Sequence, residues 1–142
     1  MSDLLEYFDG DEPQPTPEPT VYTIPLVDRP RWYINRAWSL WENDPTGDTL
    51  VASGMLARLA CESQVRVLCN NSLNRMPILM HKLFRTHILN REQLRDLRKC
   101  LKIGNRVVHG YRCSCESFAK LLVGTCSFLA TADQAMEGET HE

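Results

Sequence analysis

The stretch that decides the fold runs from Arg91 to Tyr111 and reads REQLRDLRKCLKIGNRVVHGY. An α-helix advances about 100° per residue, so the stretch divides into two faces. The polar face spans about 100° of the helix circumference and carries Arg95, Arg98, Lys102, Asn105, Arg106 and His109. The opposite face carries Leu94, Leu97, Cys100, Leu101, Gly104, Val107 and Val108. The stretch therefore predicts an amphipathic helix whose basic face points toward solvent.

Both ends of this helix are indicated by capping residues. Asn90 and Gln93 have the spacing of a capping box, with Asn in place of the usual Ser or Thr. Gly110 suits the residue that follows a helix C-terminus, because glycine readily adopts the left-handed conformation found there. We therefore expect the helix to run from Arg91 to about His109.

Four further segments have helical spacing. The first, Arg31–Glu42, carries aromatic anchors that we expect to be core or dimer contacts: Trp32, Trp38 and Trp41. The second runs from Thr49 to Cys69, the third from Pro77 to about His87, and Ser114 can cap a last helix. No pair of strands and no internal repeat is indicated. The sequence predicts an all-α fold, an antiparallel helical bundle.

Large apolar residues define the expected core of these segments. On the second segment they are Leu50, Val51, Met55, Leu59, Val65 and Leu68. On the third they are Ile78, Leu79, Leu83 and Phe84. On the last they are Phe118, Leu121, Leu122, Thr125, Phe128 and Leu129.

The chain divides into four regions. Residues 1–20 are acidic and Pro-rich, and we expect a disordered leader because such a composition buries too little apolar surface to fold. Residues 21–47 are interpreted as an extended segment plus the short Trp-rich helix, residues 48–136 as the helical bundle, and residues 137–142 as an acidic tail. Within the leader, residues 3–8 are either a peptide that docks on a protein partner or a frayed terminus.

Charge is strongly segregated along the chain. All 16 Lys and Arg residues lie between Arg29 and Lys120, whereas residues 1–20 carry six acids and residues 137–142 carry three, with no base in either tail. The segment 82–112 alone has nine bases and two acids. A basic core with acidic tails indicates a surface for polyanions, or tails that fold over and screen that surface, or simply a device for solubility.

The remaining composition excludes several classes. No run of 18 apolar residues is present, and the first residues lack a basic and apolar signal, so we expect a cytoplasmic protein without a membrane span. We therefore expect the six cysteines to be thiols rather than a disulfide framework. His109, Cys113 and Cys115 lack the fourth ligand and the spacing of a structural zinc site. No metal or cofactor is expected. Glu62 and Asp133 are single acids without a recognisable partner.

Residues 97–110 resemble the third-helix signature of HEPN domains. The form Gly104-Asn105, three residues, His109-Gly110 is most similar to HEPN-like domains of unknown function that occur beside or fused to restriction and defence proteins. The resemblance extends from about Leu50 to Leu129. It implies a HEPN-like bundle that forms a homodimer, and a nucleic-acid-associated or regulatory module of a prokaryotic defence or toxin–antitoxin type system.

The resemblance also raises an enzymatic alternative. In catalytic HEPN ribonucleases four to six residues separate an Arg from a His, and two protomers join these motifs in one cleft. His109 matches the His and Asn105 the polar residue between them, but only Lys102 is basic at the family spacing, and Arg106 is closer. A metal-independent endoribonuclease would use His109 to move protons and Arg106 or Lys102 to stabilise charge on the phosphate. A binding module without catalysis is the leading alternative.

Other roles are assigned by the same segment. The residues expected to bind nucleic acid are Arg95, Arg98, Lys102, Arg106 and Arg112. His109-Gly110-Tyr111 also resembles the His-x-Tyr triplet of HEPN toxins that are partnered with a minimal nucleotidyltransferase, which implies modification of Tyr111. The last class considered is a protein-interaction adaptor that docks through residues 3–8 and the Trp-rich helix.

Overall fold

The computed structural model describes residues 21–44 and 47–140 of the chain. Within these ranges it contains α-helices and short 3-10 turns and no strand, which confirms the predicted all-α bundle. The helices are α1 (Arg29–Asn43), α2 (Gly47–Leu68), α3 (Met76–Arg85), α4 (Arg91–Val108) and α5 (Cys115–Thr140). The predicted leader and its docking segment, residues 3–8, lie outside the described residues. No described helix combines the length and the apolar character needed to cross a membrane.

The segment before α1 is not extended. Two short 3-10 turns, Val21–Thr23 and Leu26–Asp28, replace the predicted extended chain. Pro30 occupies the first turn of α1, where its fixed φ favours the helix and its missing N–H costs nothing. The Arg29 Nε atom donates to the Ile24 carbonyl oxygen over 3.1 Å and ties the turns to the helix. Pro25 immediately precedes the second turn, so Pro25 and Pro30 begin a turn and a helix rather than an extended strand.

Helix α2 is the central helix and packs against α1, α4 and α5. Its buried face is built mainly from small and polar residues, which are Ser53, Gly54, Ala57, Ala60, Cys61, Gln64 and Val65. Of the large apolar residues expected there, only Val65 is buried, and Met55 is 42% exposed. The prediction for α2 was therefore wrong in part, since Leu50 and Leu68 are half-buried against the core but Met55 is exposed. A helix with neighbours on several sides needs small side chains where their backbones approach.

Helix α5 presents its buried side as predicted. All six residues expected in the core are buried: Phe118, Leu121, Leu122, Thr125, Phe128 and Leu129. The helix continues to Thr140, beyond the expected boundary at residue 136. The segment contains no proline, and the single Gly138 costs a helix only about 1 kcal/mol relative to alanine. On α3, Leu79 and Leu83 are buried as expected, but Ile78 is 54% exposed and Met80 is buried instead.

The tryptophans of α1 contact the protein interior. The Trp38 Nε1 atom donates to Cys126 Sγ over 3.2 Å. The ring of Trp41 stacks on Phe118, with centroids 6.2 Å apart. Trp32 lies nearer the surface, where the Arg36 guanidinium sits 4.7 Å from its ring centroid. Two of the three predicted aromatic anchors thus join the core.

Asp133 has a partner that the sequence did not reveal. Its carboxylate pairs with the guanidinium of Arg31 and joins α5 to α1. The two residues are far apart in the sequence, so no local pattern could indicate the contact. The interpretation of Asp133 as a single acid was wrong.

Candidate nucleic-acid interface

Helix α4 has the two faces and the cap that the sequence predicts. The Asn90 side chain accepts from the Gln93 N–H over 2.8 Å, and the Gln93 side chain accepts from the Asn90 N–H over 2.9 Å. The buried residues are Leu94, Leu97, Cys100, Gly104 and Val107. All six residues of the polar face are exposed: Arg95, Arg98, Lys102, Asn105, Arg106 and His109. The basic face of α4, defined by these six residues, is open to solvent.

Two glycines set the distance between α2 and α4. A Cβ placed on Gly54 of α2 would lie 2.5 Å from Val107 Cγ1 of α4. A Cβ placed on Gly104 of α4 would lie 3.0 Å from Arg58 Cβ of α2. Each helix therefore offers a glycine to a side chain of the other. This close approach fixes where the basic face of α4 lies relative to α2.

Arg58 connects α2 to the basic face. Its Nη1 atom donates to Asn105 Oδ1 over 2.9 Å. Its Nε atom lies 3.4 Å from Glu62 Oε1, an ion pair without hydrogen-bond geometry. Glu62 is therefore paired, and its interpretation as a single acid was wrong. The hydrogen bond also orients the amide of Asn105, which is an exposed residue.

The C-terminus of α4 turns sharply after His109. Gly110 has a φ of 79° in the left-handed region. Its N–H donates to the Val107 carbonyl over 3.0 Å, and the Tyr111 N–H donates to the Arg106 carbonyl over 2.9 Å. These two bonds form a Schellman motif, in which glycine is favoured because its φ is positive. The motif places His109 at the last turn and Tyr111 beside it.

A groove of about 520 Å³ lies between α3 and α4. Polar residues form one wall, namely Arg98, Lys102, Asn105, Arg106 and His109 of α4. Apolar residues line the rest, namely Met76, Pro77 and Met80 of α3, Leu101 of α4 and Tyr111. Glu62 of α2 is its single acid. Among the described residues no carboxylate forms an ion pair with Arg98, Lys102 or Arg106. We call this feature the basic groove.

The basic groove gathers most of the residues singled out from the sequence. All four predicted catalytic residues line it: Lys102, Asn105, Arg106 and His109. Tyr111 also lines it and is 64% exposed. Arg95 and Arg112 are exposed but do not line it.

The structure adds residues that the sequence did not assign to a site. Arg58 and Glu62 fall within the resemblance, but no role followed for them. The signal was present in part, because Arg58 and Glu62 have the four-residue spacing of a helical ion pair and a glycine beside Asn105 indicates close helix packing. The pattern of α4 could not indicate the apolar wall of the groove, because Met76, Pro77 and Met80 belong to α3.

The cysteines form no disulfide in the structure. Burial raises the pKa of the Cys61 thiol to about 12 and that of Cys100 to about 11. Both thiols therefore stay protonated near neutral pH and are poor nucleophiles. Across residues 21–44 and 47–140, no three His, Cys, Asp or Glu side chains come close enough to hold a metal ion.

Three residues of the signature-like segment 97–110 have structural roles in this fold. Gly104 allows the approach of Arg58, Asn105 accepts from it, and Gly110 ends the helix after His109. No family model, curated protein or solved structure matches this chain. The HEPN-like character suggested by residues 97–110 therefore stays a prediction.

Proposed function

We propose that the chain is a HEPN-like module that binds nucleic acid through the basic groove, and that it serves a prokaryotic defence or toxin–antitoxin type system. The observation that carries the proposal is the row of cations on α4. Arg98, Lys102 and Arg106 share one groove, and no described acid is paired with any of them. Like charges at three- and four-residue spacing repel one another, so a bound polyanion would stabilise the row.

The chemistry of the groove suits a phosphate backbone. The guanidinium groups of Arg98 and Arg106 can each hold a phosphate by two parallel hydrogen bonds, while Lys102 supplies a point charge. Glu62 does not cancel this charge, because Arg58 is its ion-pair partner. Arg95 and Arg112 are further exposed cations outside the groove. The spacing of the cations favours a ligand with repeated negative charge over a single small anion.

Replacing two groove cations should weaken nucleic-acid binding and flatten its salt dependence. We expect R98Q/K102Q to lower the affinity for a fluorescent RNA or DNA of about 30 nucleotides on the order of tenfold at low salt. Each phosphate contact releases counterions when it forms, and the variant forms fewer such contacts. The slope of log affinity against log salt should fall by about 1.4 for single strands, which is 0.7 for each contact. Fluorescence anisotropy across a salt series measures both quantities.

The matched control is K99Q/K120Q, which removes the same charge. Lys99 and Lys120 are exposed and line the opposite groove, between α4 and α5. If binding is local to the basic groove, this control retains nearly all of the wild-type affinity. Equal losses in the two double variants would show nonspecific charge attraction, and wild-type protein that binds neither RNA nor DNA at low salt would refute the proposal.

A second candidate is a metal-independent endoribonuclease. It is favoured by the exposure of His109 in the same groove as Lys102 and Arg106. In such a reaction the 2′-oxygen of RNA attacks the adjacent phosphorus, the 5′-oxygen leaves, and a 2′,3′-cyclic phosphate and a 5′-hydroxyl are formed. His109 would transfer the proton, and Arg106 or Lys102 would stabilise the charge that develops on the phosphate. In the homodimer implied by the HEPN resemblance, two such grooves would contribute.

Cleavage should depend on His109. We expect H109A to abolish cleavage of a structured RNA in the presence of EDTA, as followed by denaturing gel electrophoresis. H81A is the control, because His81 is an exposed histidine of α3 outside the groove, and it should cleave as the wild type does. Persistent cleavage in H109A would exclude this role. Cleavage of an all-2′-deoxy substrate would exclude the 2′-hydroxyl mechanism.

A further inference from the structure

The acidic leader is complementary in charge to the basic groove. Residues 1–20 contain six acids and no base. The groove presents Arg98, Lys102 and Arg106 with no described acid paired to them. The leader also contains large apolar residues close together, which are Leu4, Leu5, Tyr7 and Phe8. The groove has a matching apolar wall formed by Met76, Pro77 and Met80.

The leader joins the described fold at Val21, five residues before Leu26. Leu26, in the turn just before α1, lines a cavity of about 290 Å³ together with Glu62. Glu62 also lines the basic groove. The segment that follows the leader therefore lies against a cavity that shares one residue, Glu62, with the basic groove.

The length of the leader is more than sufficient. Twenty residues span up to about 65 Å when fully extended. A folded domain of this size has a radius of gyration of roughly 14 Å. The leader is thus long enough to reach the groove from its junction at Val21.

We propose that residues 1–20 are an intramolecular competitor that occupies the basic groove and must be displaced by nucleic acid. The acids pair with the cations of α4, and the apolar residues at positions 4–8 contact the apolar wall. The inference rests on the proposed function for its biological meaning, but the contact between leader and groove can be detected without nucleic acid.

The competitor would act through its tether. A segment linked to its site has an effective concentration in the millimolar range, so even a weak contact competes well. A tethered contact with an intrinsic dissociation constant of about 0.1 mM would lower the apparent affinity for nucleic acid about tenfold. Since the contact is between charges near the surface, the effect should fade as salt shortens the Debye length from about 10 Å at 0.1 M to about 3 Å at 1 M.

Neutralising the leader in the full chain tests the competition. The variant D3N/E6Q/D9N/D11N/E12Q/E18Q removes its six acids and leaves all described residues unchanged. We expect it to bind a 30-nucleotide RNA about tenfold more tightly than the wild type at 0.1 M salt. The matched control exchanges Asp and Glu at the same positions (D3E/E6D/D9E/D11E/E12D/E18D), keeps the charge, and should bind as the wild type does.

A photo-crosslinker tests the contact itself, in the absence of nucleic acid. Phe8 is replaced by p-benzoylphenylalanine in the otherwise wild-type chain, and crosslinked peptides are identified by mass spectrometry. We expect crosslinks within one chain to the α3 residues Met76 and Met80 and to residues 98–111. Crosslinks that fall only on other surfaces, or only between chains, would overturn the inference.

The two failures can be told apart. Crosslinks in the groove without RNA binding by any variant would support the leader contact and refute the proposed function. RNA binding that is unchanged by neutralising the leader, with no crosslink in the groove, would refute the competitor and leave the proposed function in place.

Discussion

The variant G54A should destabilise the fold by about 2 kcal/mol, because overpacking a tight core contact typically costs about 1–3 kcal/mol. The added methyl group would lie 2.5 Å from Val107 Cγ1 and 3.0 Å from Val107 Cβ. Replacing a helical glycine by alanine normally gains up to about 1 kcal/mol, so the sign of the change reports the clash. Urea unfolding followed by circular dichroism measures the free energy.

A second-site change and a control make this result specific. V107A removes Cγ1, the nearer of the two clashing atoms, and keeps Cβ. The double variant G54A/V107A should therefore be more stable than the sum of the single changes allows, by about 1 kcal/mol or more. G138A is the control, because no atom lies within 4 Å of the added methyl group, and it should stabilise the helix. If G54A proved as stable as G138A, the close α2–α4 contact would be wrong.

The variant F118A should cost about 3–5 kcal/mol, the usual loss when a buried phenylalanine is truncated. Phe118 is fully buried and is the largest such side chain in the described core. Its ring stacks on Trp41 at an interplanar angle of 29°, and it lies near Gly54 at the α2–α4 contact. The loss would therefore weaken the contacts of α1, α2 and α5 together. We expect the variant to unfold at a lower urea concentration than the wild type and to show altered tryptophan fluorescence in the folded state.

The control for this truncation is L73A. Leu73 is 91% exposed, so its loss should change the free energy of unfolding by less than about 0.5 kcal/mol. F118L retains most of the apolar volume and should fall between the two. A cost below about 1 kcal/mol for F118A would contradict the packing of Phe118 on Trp41.

The elements that could be predicted from the sequence are those whose information is local. Helix α4 is defined by the capping box of Asn90 and Gln93 and by Gly110 at its end, and all of these residues behave as expected. The buried residues of α5 could also be predicted, because one continuous apolar side of the helix faces the bundle. Five of the candidate residues proved to share one groove because they share one helix face.

The features that escaped prediction depend on neighbours distant in sequence. Helix α2 is surrounded by other helices, so its buried face consists of small residues such as Gly54 and Ala57, whereas large residues such as Met55 face outward. An apolar periodicity cannot indicate such a face. The pairing of Glu62 and the apolar wall of the groove depend on how α2 and α3 are placed against α4.

The glycine contacts between α2 and α4 tie the thermodynamics of the core to those of the surface. Arg58 packs on Gly104 and donates a hydrogen bond to Asn105, which lines the basic groove. A polyanion that binds only the folded state raises the free energy of unfolding, by about 2.7 kcal/mol at a hundred times its dissociation constant. By the same linkage, a core substitution that separates the two helices would lower affinity without touching a ligand. A thermal shift with added nucleic acid would therefore report on both the integrity of the fold and the occupancy of its groove.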